Sequence, residues 1–218
     1  MKLYKYKNYE EYTEAQKKTN DKKRCMVFVD GYEIINLVVE YIDSLKLKPK
    51  LMLCHGVRTG MELEHFMDGF IQKGYTSQKP NAYLGLQIIG TEIGDTALNC
   101  RSKYMGNYII QWDFHEVKKE WIGNVDIIYS NSFDHSCKPI ECLDTWMSCL
   151  TDDGVCIIEF NPGLDDEGVH DADCFAASID EYREFITKKY NIINEIDNEP
   201  SNTKRRIYLF IQNKRDKE

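Results

Sequence analysis

Apolar residues recur along this chain in two patterns, one typical of buried strands and one typical of amphipathic helices. Short apolar runs bounded by turn residues predict seven strands. These lie at 50–55, 86–93, 108–114, 124–130, 154–160, 190–197 and 205–213. Most of the runs are apolar at consecutive positions, so we expect strands that are buried on both faces of a sheet.

Helical spacing of apolar residues occurs between these runs. It predicts helices at 31–46, 61–70, 96–104, 140–150 and 178–190. In the second of them, Leu63, Phe66 and Phe70 fall on one helical face. Residues 1–24 are charged and aromatic without a clear apolar stripe, and we predict either a helix or a partly ordered arm. The sequence contains no internal repeat and no low-complexity tract.

The alternation of strands and helices predicts a Rossmann-like open α/β sheet, mostly parallel, with helices on both faces. The last two strands lack an intervening helix and should form a hairpin, which places one antiparallel strand in the sheet. We divide the chain into an N-terminal helical lid or extension at 1–46 and an α/β domain at 47–218. Such sheets bind ligands beyond the carboxyl ends of their strands, at the switch point.

Composition narrows the functional classes. The 218 residues are 42% hydrophobic and 29% charged, which is typical of a globular chain. The net charge of −8 argues against non-specific DNA binding, which needs clustered basic residues. No apolar run approaches the roughly 18 residues that span a bilayer, and the first residues lack the apolar core of a signal peptide. We therefore expect a cytoplasmic protein without a membrane partner.

Eight cysteines raise the possibility of disulfides or zinc. They occupy positions 25, 54, 100, 137, 142, 149, 156 and 174, and no two of them form a C-x-x-C pair. Several lie within apolar runs. We expect reduced, mostly buried thiols and no metal site.

The chemistry-bearing residues cluster at the ends of the first four long strands. The first strand ends in the turn CHGVRTG, where Gly56 and Gly60 allow close approach of the backbone to a ligand. Tight strand-to-helix turns also use glycine for structural reasons alone. The turn is not a P-loop, and Arg58 breaks the dinucleotide pattern G-x-G-x-x-G.

Two acids follow the next two strands. Glu92 can accept hydrogen bonds from a ribose diol, or it is simply a solvated strand end. Asp113 can accept a hydrogen bond from an exocyclic amine such as that of adenine, or it forms a turn or caps a helix. Phe114, beside it, is either an apolar wall for a purine or an ordinary core residue.

Together these residues resemble the class I S-adenosylmethionine-dependent methyltransferases, over about 50–213. The turn CHGVRTG is similar to the family's acid-x-Gly-x-Gly-x-Gly motif, with Cys54 in place of the acid and Arg58 in place of the middle glycine. We expect Glu62 or Arg58 itself to replace the contact that the missing acid would make. The resemblance implies S-adenosylmethionine as cofactor. It implies a cofactor site formed by His55, Gly56, Arg58, Gly60, Glu62, Glu92, Ile93, Asp113, Phe114, Asn131 and Ser132.

The stretch DIIYSNSFDHSCKP is similar to the family's fourth-strand motif, and the resemblance puts Asp134 and His135 on the substrate side. Methyl transfer from a sulfonium is an in-line displacement, in which a base can remove a proton from the acceptor. His135 is our candidate base, with Asp134 beside it, although a histidine here can also simply brace the loop. His115 and His170 are weaker candidates. A hydrolase is disfavoured because no G-x-S-x-G elbow is present.

The predicted function is therefore a methyltransferase for an unidentified acceptor, which we expect to be a small molecule. The turn at 130–136, the acidic loop at 161–174 and the N-terminal lid should form the acceptor site. An RNA or protein methyltransferase and a non-catalytic methyltransferase-like binding module remain alternatives. A nucleotide-sugar or NAD-binding enzyme is disfavoured by the missing dinucleotide motif.

Overall fold

The computed structural model describes residues 1–23, 32–75, 85–95, 108–162, 168–198 and 205–215. The helix predicted at 96–104 lies outside these ranges. Part of the acidic loop at 161–174 and most of the turn before the last strand also lie outside them.

Nine strands and five helices are formed within the described ranges. The strands are β1 (Lys2–Leu3), β2 (Leu51–His55), β3 (Gln87–Glu92), β4 (Ile109–Gln111), β5 (Val125–Ser130), β6 (Leu150–Phe160), β7 (Phe175–Ala176), β8 (Tyr190–Asn198) and β9 (Arg206–Asn213). The helices are α1 (Tyr9–Lys22), α2 (Tyr32–Ser44), α3 (Met61–Gln72), α4 (Pro139–Cys149) and α5 (Ile179–Lys189). Short 3₁₀ turns occupy Lys119–Trp121 and Phe133–His135.

Seven of the strands form one sheet in the order β4-β3-β2-β5-β6-β9-β8. Strands β2 to β6 pair in parallel, while β9 is antiparallel to both β6 and β8. This confirms the predicted mostly parallel sheet with a C-terminal hairpin. From β2 the chain builds outward through β3 and β4, then returns to build β5 and β6 on the other side. The switch point therefore lies between β2 and β5.

The sheet separates two hydrophobic cores because neighbouring residues of a strand face opposite sides. In β6, Cys156 and Ile158 pack into the core with α4 and α5, while Val155 and Ile157 pack into the core with α2 and α3. Strands β5 and β9 divide their side chains in the same way. Consecutive apolar residues are thus used on both faces, which explains the patterns in the sequence.

Several boundaries differ from those predicted. Strand β6 begins at Leu150 instead of Gly154, because α4 leads directly into it and a register shift absorbs the polar residues 151–154 opposite β5. Strand β4 ends at Gln111, three residues early, since Asp113 begins a turn by accepting the N–H of Glu116 at 3.0 Å. The pair β1–β7 was not predicted, and two-residue strands carry no detectable periodicity.

The N-terminal segment contains two helices that pack differently. Helix α2 contributes four fully buried side chains to the core shared with α3, namely Ile35, Val38, Val39 and Ile42. Helix α1 buries only Tyr12 and Gln16. The division of the chain at residue 46 stays a prediction. Among the described helices, none is both long and apolar enough to cross a membrane.

Candidate functional site

The turn between β2 and α3 keeps the backbone in an unusual conformation. Its φ angle is 74° at Gly56, 42° at Arg58 and 72° at Gly60. A Cβ atom on Gly56 would lie 2.6 Å from the Cβ atom of Ser132, so glycine is required against the loop that follows β5. The Gly56 N–H donates to the carbonyl of Thr91 in β3 at 2.9 Å. The turn is therefore fixed between the ends of three neighbouring strands.

Glu92, the last residue of β3, faces this turn. Its Oε2 accepts the backbone N–H of Arg58 at 2.8 Å, and its Oε1 accepts the N–H of Gly94 at 3.2 Å. The side-chain amide of Asn20 also donates to Oε1. Burial raises the pKa of Glu92, and the hydrogen bonds from Gly94 and Arg58 oppose that rise. Ile93, the next residue, is half-buried and accepts a hydrogen bond from Gln111 through its carbonyl.

Glu62 is a buried acid next to the turn. It is the second residue of α3 and only 5% exposed. No side chain in the described ranges hydrogen-bonds or ion-pairs with its carboxylate. Burial raises the pKa of Glu62 to about 8, although the neighbouring Arg58 opposes the rise. An acid held this way needs a cation to stabilise its charged form.

Arg58 connects the turn to the N-terminal helix. Its backbone donates to Glu92, and its Nη1 donates to the carbonyl of Lys23, at the end of α1, at 3.4 Å. Burial lowers the pKa of Arg58, and the nearby Glu62 and Glu92 oppose that effect. Cys54, which replaces the family's acid, is fully buried in the core below and does not face the site.

Asp113 is held by a hydrogen-bonded chain. Its Oδ1 lies 2.9 Å from both the backbone nitrogen and Nδ1 of His115, and its Oδ2 accepts the hydroxyl of Tyr9. The other ring nitrogen of His115 lies 2.9 Å from the hydroxyl of Ser136. Burial raises the pKa of Asp113, but the hydrogen bonds from His115 and Tyr9 outweigh it and the pKa is lowered. Asp113 is therefore an ionised acceptor in the folded protein.

His55 and Phe114 lie beneath the site. The ring of His55 is 3% exposed, stacks on Trp146 at 4.8 Å and is bonded through Nδ1 to the Thr91 hydroxyl at 2.8 Å. Burial, helped by His115, lowers the pKa of His55 to about 3, so the ring is neutral. The carbonyl of Phe114 accepts the Trp146 indole at 2.8 Å. The side chain of His55 supports the turn from below, and its contact with a cofactor stays a prediction.

The loop after β5 borders the turn. Ser132 donates to the carbonyl of Gly56 at 3.2 Å and to Oδ1 of Asn131 at 3.0 Å. Ser130 donates to the carbonyl of His55 at 3.0 Å and accepts the Ser132 N–H. These bonds join the loop to the turn, and the contact of Asn131 and Ser132 with a cofactor stays a prediction.

His135 lies further along this loop, against the segment before β7. Its Nδ1 is 2.7 Å from the carbonyl of Ala172 and 3.5 Å from Oδ1 of Asp173. A carbonyl can only accept a hydrogen bond, so Nδ1 carries the ring proton, and Nε2 of the neutral ring keeps its lone pair. The bond also braces the loop. The geometry is thus compatible with both roles that the sequence suggests for His135.

Asp134, His135 and Asp173 bring their possible ligand atoms within 4.8 Å of one another. Burial raises the pKa of Asp134; the nearby His135 opposes the rise and Asp173 adds to it. Asp173 already has basic neighbours, since Lys23 Nζ lies 3.7 Å from Oδ1 and His170 Nε2 lies 3.2 Å from Oδ2. The absence of a bound metal stays a prediction.

Helix α1 lies along this whole site. Tyr9 donates a hydrogen bond to Asp113, and Asn20 donates one to Glu92. The ring of Tyr12 packs edge-on against the ring of His115, with 5.4 Å between the ring centroids. These residues, with Gln16, recur at spacings of three and four on one helical face. No apolar stripe marks these residues in the sequence, because the helical face that carries them is polar. The pattern that marks this face in the sequence is the recurrence of large polar and aromatic residues at helical spacing.

Comparison with known proteins identifies the fold. No protein-family model matches the chain, and no curated protein matches its sequence. Among solved structures, 1,6-didemethyltoxoflavin-N1-methyltransferase of Burkholderia thailandensis, bound to 1,6-didemethyltoxoflavin and S-adenosylhomocysteine, matches with a TM-score of 0.69. The identity is 10%, over 96% of this chain and 92% of that chain.

Two further matches have similar coverage. A plantazolicin methyltransferase, in complex with a pentazolic desmethyl analogue and S-adenosylhomocysteine, matches with a TM-score of 0.62 at 15% identity, over 94% of this chain and 96% of that one. Magnesium protoporphyrin IX methyltransferase of Synechocystis PCC 6803, with bound S-adenosylhomocysteine, has a TM-score of 0.61 at 12% identity, over 93% and 99%. The chain therefore has the class I S-adenosylmethionine-dependent methyltransferase fold.

Proposed function

We propose that this chain binds S-adenosylmethionine and transfers its methyl group to a small-molecule acceptor. The observation that supports this most directly is the contact between Glu92 and the glycine turn. The acid and the turn converge at the carboxyl ends of β2 and β3, next to the switch point between β2 and β5. An open α/β sheet binds its ligands there.

The residues present fit this cofactor. The turn forms a cradle at Gly56, where a Cβ atom would collide with Ser132. Glu62 is a buried carboxylate next to the turn that lacks a side-chain partner in the described part of the chain, and the α-ammonium of a methionine group would supply its missing cation. In this proposal Glu62 replaces the acid that the family carries where this chain has Cys54.

The other contacts follow from the order of the strands. Glu92 would accept hydrogen bonds from the ribose hydroxyls. Asp113 and Phe114, at the end of the next strand, would contact the adenine. Arg58, Gly60 and Ile93 would line the cofactor between these ends, while Asn131 and Ser132 would border it on the side of β5.

When bound, the cofactor supplies an electrophilic methyl group on a sulfonium sulfur. The protein's task is to hold the acceptor in line and to remove its proton where the acceptor carries one. His135 is suited to the second task because Nδ1–H is held by the Ala172 carbonyl and Nε2 keeps a lone pair. Asp134 would support the positive charge that develops on the ring.

A small acceptor is favoured by the net charge of −8, which disfavours a nucleic-acid acceptor. The similar structures named above are methyltransferases of a toxoflavin precursor, of a plantazolicin and of magnesium protoporphyrin IX. Their acceptors differ widely, so they support the size class of the acceptor and not its identity.

Binding of S-adenosylhomocysteine tests the proposal. At 100 times its Kd the ligand should stabilise the protein by about 2.7 kcal/mol in a thermal shift assay, and isothermal titration should give one site per chain. Glu92→Gln should weaken binding about tenfold or more, since hydrogen bonds to a charged group are lost. Glu120→Gln makes the same chemical change at an exposed position and should have no effect. Absence of binding, or equal stabilisation by NAD, would contradict the proposal.

A further inference from the structure

Helix α1 and the proposed cofactor need the same oxygen atoms. We propose that α1 (Tyr9–Lys22) is a latch that excludes the cofactor while it contacts Glu92 and Asp113, so that the helix must release both acids before the cofactor binds. This inference rests on the proposed function, and it adds a competition that the proposed function does not require.

The first contact occupies Glu92. The amide of Asn20 donates to Oε1, which also accepts the N–H of Gly94, and Oε2 accepts the N–H of Arg58. The Glu92 residue is 3% exposed, so no face of the carboxylate is open to a ribose. The two N–H groups belong to the turn and to the end of β3 and can stay. Asn20 comes from a separate element, and its amide is the donor that a ribose hydroxyl would replace.

The second contact occupies Asp113. Its Oδ1 lies within hydrogen-bond distance of the backbone nitrogen and Nδ1 of His115, and its Oδ2 accepts a hydrogen bond from the hydroxyl of Tyr9. An adenine amine at Asp113 would therefore compete with Tyr9. The two competing donors stand eleven residues apart on one face of the same helix, so a single movement of α1 removes both.

The attachment of α1 suits reversible release. Only Tyr12 and Gln16 of the helix are buried, and many of its contacts are hydrogen bonds to the site. Elements with few buried apolar contacts open at low free energy. Strand β1 stays anchored, because Lys2 and Leu3 pair with β7 and the Tyr4 N–H donates to the Cys174 carbonyl at 2.8 Å. The helix can swing from this anchor about residues 5–8.

At its other end α1 is held by the glycine turn. Arg58 donates to the carbonyl of Lys23 at 3.4 Å, and the backbone N–H of Arg58 donates to Glu92. One residue of the proposed cofactor site therefore bonds both the acid and the helix that covers it. Because only molecules with α1 released bind the cofactor in this proposal, the apparent affinity is the intrinsic affinity multiplied by the fraction of open molecules.

The test is the direction in which affinity changes when a latch contact is removed. Asn20→Ala should tighten S-adenosylhomocysteine about tenfold in isothermal titration, the size of one hydrogen bond to a charged group. Tyr9→Phe, which removes only the hydroxyl, should also tighten it. Thr13→Ala raises helix propensity in the same way as Asn20→Ala but touches neither acid, so it should leave affinity unchanged.

A second ligand excludes an indirect effect. 5′-Methylthioadenosine carries the adenosine but not the amino-acid group, so Asn20→Ala should tighten it by the same factor. Unchanged or weaker binding of both ligands by Asn20→Ala would overturn the latch and leave the proposed function standing. Absence of binding by the native chain and by every variant would overturn the proposed function, and the latch with it.

Discussion

Replacing Glu62 by glutamine should make the protein more stable and its cofactor binding weaker. Burial raises the pKa of Glu62 to about 8 from an ordinary value of 4.5. Between these values the folded chain holds a proton that the unfolded chain has lost, so stability falls as the pH rises from 4.5 to 8 and is level above it. The difference of about 3.5 pH units, at about 1.4 kcal/mol each, corresponds to about 5 kcal/mol.

Glutamine resembles the protonated acid and cannot ionise. We therefore expect Glu62→Gln to be as stable as the native protein near pH 4. At pH 7, which is 2.5 pH units above the ordinary pKa of 4.5, the variant should be more stable by about 3 kcal/mol. Glu64→Gln makes the same chemical change at a partly exposed position in the same helical turn, so it is the matched control.

Urea unfolding without ligand at pH 5, 7 and 8.5 measures the stability, and titration with S-adenosylhomocysteine measures the binding role. The variant should bind this ligand at least tenfold more weakly, because a charged hydrogen bond is lost, yet bind 5′-methylthioadenosine like the native chain. A native stability that did not fall between pH 5 and 8.5, relative to the variant, would refute the buried acid. Equal affinity of variant and native chain for S-adenosylhomocysteine would remove Glu62 from the ammonium site.

Three further outcomes are expected. Gly56→Ala should lower stability by about 2 kcal/mol more than Gly123→Ala in urea unfolding, because both glycines have positive φ but only Gly56 would also meet Ser132; equal losses would show that close approach is unimportant. His135→Gln should reduce methyl transfer while changing cofactor affinity by less than about 0.5 kcal/mol, and unchanged turnover would leave His135 as a loop brace. Mass spectrometry of the native protein under thiol-blocking conditions should count eight free thiols, and a lower count would reveal a disulfide or a bound metal.

The sheet was predictable because its strands are buried on both faces. In the run 154–160 the four consecutive residues 155–158 are all apolar, and a parallel sheet covered by helices buries such residues on both faces. The acids Glu92 and Asp113 were identifiable as candidates because each is the last but one residue of a predicted strand, where an open sheet binds its ligands. Local pattern thus predicts both the strand and the candidate site residue at its end.

The contacts made by α1 were not predictable from local pattern. Tyr9 lies 104 residues before Asp113 and Asn20 lies 72 residues before Glu92, and no periodicity relates them. The helical face that carries them is polar because its partners are carboxylates and carbonyls. A hydrophobic stripe marks a helix that packs on a core, whereas this helix packs on a site.

The departures of the glycine turn from the family's motif are physically consistent with one another. At the strand end, where the family carries an acid, this chain has Cys54, which packs in the core. Glu62 supplies a buried carboxylate nearby, at the N-terminus of the following helix. Arg58 has a left-handed backbone, at a φ of 42°, and its N–H donates to Glu92. A left-handed arginine is strained by about 1–2 kcal/mol. The Arg58 side chain makes a contact that glycine cannot make, since its Nη1 donates to the carbonyl of Lys23 at the end of α1. This hydrogen bond couples the turn to the helix that covers it.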